Sequence, residues 1–193
     1  CTFIMNEPLT IIFNMVVNFA LFIIFLRFMF QFSQIDPNHP YTKAVNQLSA
    51  VVTVFRQIFP DLNKGQISLS ALVLMLLLIY IEIAGMASIR GKELSGFVLF
   101  FGGTLHAIIS FLSALKYIVL GSVVLSWIIM FSGKMHPIME IVMQMAEPIV
   151  APFRRITPNL GMIDLSTLVA LLALGLIEIM IKVVGANILG MLL

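Results

Sequence analysis

Residues 68–89 read SLSALVLMLLLIYIEIAGMASI, with Glu82 the single formal charge among them. A helix crosses the ~30 Å hydrocarbon layer of a bilayer with roughly 20 predominantly apolar residues, and this stretch meets that demand. So do 9–32, 107–131 and 166–189. Composition agrees: 61% of the 193 residues are apolar and 10% charged, where soluble domains run at ~45–50% and ~25%. Eleven basic and nine acidic side chains cannot clothe a water-soluble chain of this size. The expected fold is therefore an all-α polytopic membrane protein of about four transmembrane helices.

Between the second and third spans, Arg90-Gly91-Lys92-Glu93 is too polar for the membrane core. The apolar run after it, broken by Gly102-Gly103, either lengthens the third span or lies along the interface. Because 96–131 is longer than one bilayer requires, the interfacial path is expected for 96–106. No basic residue precedes the first span and Glu7 does, so it reads as an anchor and not a cleaved signal peptide. The chain opens on Cys1, so either its start lies upstream or Met5 is the initiator; no lipoprotein signal precedes Cys1 to mark it for lipidation. A lone cysteine excludes an internal disulfide and any multi-cysteine metal site.

Cations in short loops set orientation. The segments 33–67 and 132–165 carry Lys43, Arg56, Lys64, Lys134, Arg154 and Arg155, while the other side offers Arg90 and Lys92. Six against two places the long linkers in the cytoplasm and both termini outside. Arg27, near the cytoplasmic end of the first span, is expected to snorkel towards headgroups. A net charge of +2 is too small for a nucleic-acid partner.

The chain is written twice. His39-Pro40, Phe55-Arg56, Pro60, Ile67-Ser68-Leu69-Ser70 and Glu82 are echoed in order by His136-Pro137, Phe153-Arg154, Pro158, Ile163-Asp164-Leu165-Ser166 and Glu178. A duplication is expected, with 1–96 and 97–193 as tandem hairpin repeats of two spans each, pointing the same way. Each linker holds an amphipathic helix. In 138–153, Ile138, Ile141, Val142, Met145, Ile149 and Phe153 recur at helical steps, opposite Glu140, Gln144 and Glu147. In 41–58 the stripe is Ala44, Val45, Leu48, Val51, Val52, Phe55 and Ile58. Such helices lie flat at the interface or pack on the cytoplasmic mouth of the bundle. Pro148 and Pro152 are expected to break or end the second one, leaving its counterpart the straighter. Ser68 or Ser70, and Asp164 or Ser166, suit the N-caps of the spans that follow.

The run Glu147-Pro148, Pro152-Phe153-Arg154-Arg155-Ile156-Thr157-Pro158 and Gly161-Met162-Ile163-Asp164-Leu165-Ser166, with Ser126-Trp127 upstream, resembles the signature of the YggT/YlmG family of small membrane proteins. The resemblance covers nearly the whole chain and is sharper in the second copy. It implies motif roles for Pro152, Pro158, Gly161, Asp164 and Ser166. Met162 stands where the family often has a second glycine, and Thr167 where proline is common. The first copy carries Val54, Gln57 and Ser68 at the positions of Pro152, Arg155 and Asp164, so it is expected to perform the motif's task poorly. Relatives are linked to osmotic or ionic stress tolerance, to cell division and, in plastids, to membrane-complex assembly and nucleoid placement. What the resemblance implies here is membership and a role in envelope upkeep.

No H-E-x-x-H, glycine-rich phosphate loop or G-x-S-x-G elbow is present, and His39, His106 and His136 are scattered. No catalysis and no cofactor are expected. His39 and His136 sit at matching repeat positions, which a shared metal would need, but loop turns suit them better. Arg56, Arg154 and Arg155 are candidates for docking anionic lipid headgroups or a partner protein, since guanidinium forks match phosphate geometry. The charges inside the spans, Glu82, Lys116, Glu178 and Lys182, form a candidate intramembrane network. Glu178 stands one turn before Lys182, the favourable order for a pair, and Lys116 is expected to meet Glu82 across helices. Small residues at Ser110/Ala114, Ser122/Ser126 and Ala186/Gly190 permit close helix approach or oligomerisation, and the 13 Met and 16 Phe read as packing surface.

The resulting expectation is a non-catalytic integral protein of the bacterial inner membrane, an accessory or scaffold in envelope homeostasis or membrane-complex assembly. Its partners would be membrane lipids and a membrane protein or second copy. The competing reading is a small transporter or channel component affecting ion balance in osmotic stress. Intramembrane acids favour the latter; the absence of a polar stripe along any helix favours the former.

Overall fold

The computed structural model describes residues 2–157 and 165–192. Its helices are α1 (Thr2–Phe32), α2 (Pro40–Leu48), α3 (Ala50–Phe55), α4 (Leu69–Ile89), α5 (Gly96–Ser132), α6 (Pro137–Arg154) and α7 (Leu165–Leu192). A single 3-10 turn, Asn63–Gly65, and an isolated bridge between Leu62 and Ile67 precede α4. Four helical segments are long and apolar enough to cross a membrane: Glu7–Phe32, Leu69–Ile89, Gly96–Ser132 and Leu165–Gly190. Their outer faces stay open, with Met15, Phe19, Leu172 and Met180 all exposed. Apolar surface on that scale is covered by lipid in an integral membrane protein, not left in water.

α1 packs chiefly on α4, and α5 on α7, with α4 against α5 closing the bundle. The core gathers at one end. There Phe28, Met29, Ala71 and Leu74 of the spans meet Val45, Val52, Ile141 and Met145 of the two linkers in one cluster. Both linkers thus occupy the same end of the bundle, and Ser33 Oγ reaches the Met145 carbonyl at 3.4 Å. A second cluster, Val119, Val150, Ala170 and Leu174, joins α5, α6 and α7.

Residues 96–106 do not form a separate interfacial segment. α5 runs unbroken from Gly96 to Ser132, about 55 Å at ~1.5 Å per residue. Ser95 caps its start by accepting from the Val98 amide at 3.2 Å, and Gly133, at φ +64°, closes its end. The Gly102-Gly103 pair does not break the helix, and its second member serves packing. Gly103 is buried against the Tyr80 ring, and the Tyr80 hydroxyl bonds Thr104 Oγ1 at 2.6 Å. Gly85 meets Phe13 and Gly185 meets Leu105 in the same way.

The linker helices also reverse the expectation. α6 continues through Pro148 and Pro152, whereas its counterpart breaks at Ser49 into α2 and α3. A proline inside a helix costs ~3 kcal/mol or more. In α6 the buried stripe of Ile141, Met145 and Val150 offsets this, each side chain contributing ~1.5–3 kcal/mol when withdrawn from water. At the break, Ser49 Oγ donates to the Val45 carbonyl at 2.5 Å, diverting an acceptor of the helical ladder. Arg27 then clamps the corner, Nη1 donating to the Ser49 carbonyl at 2.8 Å and Nη2 to Thr53 Oγ1 at 2.9 Å. Arg27 therefore turns to the linker instead of snorkelling to headgroups. The stripe foreseen for 41–58 is split: Val45 and Val52 are buried, while Leu48, Val51 and Ile58 face outward, as does Val54 beside them.

Adding a methyl at Gly103 drives into Tyr80, whereas Gly102 has open space around it. Gly103→Ala is expected to lower stability by ~1–3 kcal/mol, and Gly102→Ala to leave it level or raise it by up to ~1 kcal/mol. Thermal unfolding of both variants in one detergent checks the contrast.

Candidate functional site

Glu178 of α7 is 4% exposed and lies inside a membrane span. A bare carboxylate there is costly by several kcal/mol. Both oxygens are taken: Oε2 by Lys116 Nζ of α5 and Oε1 by Lys182 Nζ of α7, each at 2.6 Å. The first bond joins two helices; the second spans one turn of α7. Lys116 therefore pairs with Glu178, and not with Glu82 as expected, because the α5–α7 contact brings residue 178 within its reach. The arrangement is a closed ionic clasp with one surplus positive charge. Three of the four members of the candidate intramembrane network meet in it.

The fourth stands apart. Glu82 Oε1 accepts from Asn18 Nδ2 of α1 at 3.3 Å, and Asn18 also bonds Asn14 on its own helix. No cation among the described residues pairs with Glu82.

At the linker end, Arg56 Nη2 meets Asp61 Oδ2 at 2.7 Å, and Arg154 Nη1 contacts both Glu147 oxygens, at 2.6 and 2.8 Å. Two of the three docking candidates are therefore already partly neutralised, which weakens their pull on an anionic headgroup. Arg155, next to Arg154 in the chain, is exposed. Glu147 and Arg154 border a cleft of about 230 Å³ between α5, α6 and α7, into whose wall Ser122, Ser126, Trp127 and Thr167 also enter. Motif residues scattered over α5, α6 and the start of α7 thus converge on one hollow.

Of the remaining motif positions, Pro152 is exposed on α6 and Ser166 is buried in the first turn of α7. Pro158, Gly161 and Asp164 lie outside the described residues. In the first linker Ser68 is the N-cap of α4, accepting from the Ala71 amide at 3.4 Å, with Ser70 bonded to it. His39 caps α2: its Nδ1 accepts from the Tyr41 amide at 3.4 Å and its ring stacks on Tyr41. His136 precedes Pro137 as the N-cap residue of α6. Arg27, Ser49 and Asn18 were not foreseen as site residues. A cation and an amide inside an apolar span were the signal for Arg27 and Asn18, and Ser49 gave none.

Removing one member of a buried ion pair leaves its partner stranded, at ~3–5 kcal/mol. Glu178→Leu is expected to lose stability on that scale, while Lys116→Leu combined with Glu178→Leu recovers part of it. A double-mutant cycle by unfolding in micelles should return a coupling of ~1–3 kcal/mol; strictly additive losses would contradict the clasp.

The CCB3/YggT family profile matches residues 102–185. An uncharacterized protein of Pseudomonas aeruginosa is 32% identical over 164 residues, spanning 83% of this chain and 81% of its own. One from Haemophilus influenzae is 34% identical over 160 residues, 82% of this chain and 83% of its own. The uncharacterized protein YggT of Escherichia coli K12 is 24% identical over 174 residues, 89% of this chain and 88% of its own. No solved structure matches. With these similarities running the length of a four-span bundle, the chain belongs to the CCB3/YggT family of membrane proteins.

Proposed function

We propose that this protein is a non-catalytic accessory or scaffold of the bacterial inner membrane, acting in envelope homeostasis or the assembly of membrane complexes. On this reading 1–96 and 97–193 are tandem copies, the linkers are cytoplasmic and the termini lie outside. The observation that carries it is the use made of the polar side chains. Lys116, Glu178 and Lys182 are consumed in holding α5 to α7, so that network offers nothing to a passing ion. The groups available to a partner gather instead at the linker end: exposed Arg155, the cleft beside Trp127 and Arg154, and the outward Leu48, Val51, Val54 and Ile58. Apolar side chains beside cations suit an interfacial contact, with each nearby cation worth ~1 kcal/mol against an anionic leaflet.

A second reading, an ion-conducting component in osmotic stress, draws on one observation: among the described residues Glu82 has only an amide for a partner. Flux in reconstituted vesicles that disappears in Glu82→Gln would support it.

For the scaffold, Arg154→Gln with Arg155→Gln is expected to reduce crosslinking of the protein to its neighbours in native bacterial membranes several-fold. Recovery on vesicles rich in phosphatidylglycerol should fall as well, with thermal stability lowered by no more than ~1 kcal/mol, as for exposed ion pairs. Unchanged crosslinking and unchanged lipid recovery would remove the linker end as the docking face. Residue 154 labelled from the outer side of intact cells would overturn the orientation.

A further inference from the structure

Between α1, α4 and α5 lies a cavity of about 470 Å³ with predominantly apolar walls. That volume is within the range of small-molecule sites, ~300–1,000 Å³. Phe22, Phe25 and Phe111 supply aromatic surface, and Asn18, Glu82 and His106 supply the polar groups. All three helices are long and apolar enough to be membrane spans. Glu82 sits seven residues before the end of α4, about 10 Å along the axis at ~1.5 Å per residue.

The charges are unbalanced there. Of the cations within the spans, Lys116 and Lys182 are held by Glu178 and Arg27 by the linker corner. His106 Nε2 lies 3.4 Å from Ser110 Oγ, on its own helix. A carboxyl group among mostly apolar walls normally faces a partner, and no described side chain supplies a cation. A small inorganic cation fits poorly, because it needs a shell of several oxygens and the walls are mostly carbon. An organic cation fits both features: its body is solvated by the apolar wall, and aromatic faces within ~6 Å attract its charge.

We propose that this cavity binds a lipophilic organic cation drawn from the membrane, with Glu82 as its counter-ion and the rings of Phe22, Phe25 and Phe111 as its wall. The site is separate from the linker end and does not depend on the scaffold reading. Glu82 and Glu178 thereby differ in use: one carboxylate is closed by lysines of the chain, the other stays available to a ligand.

The test is equilibrium dialysis of tetraphenylphosphonium against the full-length protein in nanodiscs of zwitterionic lipid, with empty nanodiscs subtracted. Saturable binding of about one cation per chain is expected, weakened at least tenfold by Glu82→Gln. Ala107→Phe, which fills the cavity without altering charge, should weaken it comparably, and tetraphenylborate, an anion of the same shape, should show no saturable component. No binding above empty nanodiscs, equal binding by Glu82→Gln when that variant remains monodisperse, or saturable uptake of the anion would each overturn the proposal. The competing occupant is a second copy. Efficient disulfide crosslinking between copies through Asn18→Cys, in a Cys1→Ser background, would show the cavity covered by protein and overturn it too.

Discussion

A polar group at membrane depth needs a partner that the hydrocarbon of the lipid does not offer. The bundle is organised by that constraint. Glu178 recruits two lysines from two positions, and one of those bonds fixes α5 to α7 where apolar contact with lipid would serve either helix equally well. Apolar packing gives little preference between protein and lipid in a bilayer, so close fits and polar contacts must choose the neighbours. The glycine notches at residues 85, 103 and 185 supply the close fits, each receiving one large side chain of an adjacent helix.

At the linker end water is present and the hydrophobic effect returns. The largest buried cluster forms there, from the ends of α1 and α4 and the inward faces of the linker helices. Arg27 connects the two regimes. It leaves a span, yet its guanidinium donates to the Ser49 carbonyl and the Thr53 hydroxyl, so the break between α2 and α3 is a bonded corner. A continuous helix over 41–58 would have directed its whole apolar stripe one way. The corner instead divides it into residues that lock onto the bundle and residues that face outward.

Span number and placement were legible because apolar runs of this length have few other fates. The family was legible from the Glu147-to-Ser166 run. Three features were not. The path of 96–106 depended on whether Gly102-Gly103 broke a helix or fitted a neighbour, and only the position of Tyr80 decides that. Proline in α6 was outweighed by tertiary packing, which propensity does not contain. Partner choice among Glu82, Lys116 and Glu178 turns on which helices are adjacent and at what height, and charge sign alone leaves both acids eligible for Lys116.

The two acids carry the sharpest contrast in the molecule. On the duplication reading they began as one position, and both retain a carboxylate about as deep in their spans. Lys182 follows Glu178 by one turn, while Met86 holds the corresponding place after Glu82. α5 contributes Lys116 to the first acid; towards Glu82 it presents a wall of Phe111, Ala107 and His106. A structural carboxylate left without its cation would be replaceable by an apolar residue at a gain of stability. Its presence beside a hollow, with an amide as its one partner among the described residues, is what a site for a mobile positive charge requires and what a helix-joining clasp does not. On that reading one acid, placed in two different surroundings, would serve two different purposes, one in building the bundle and one in receiving a ligand from outside it.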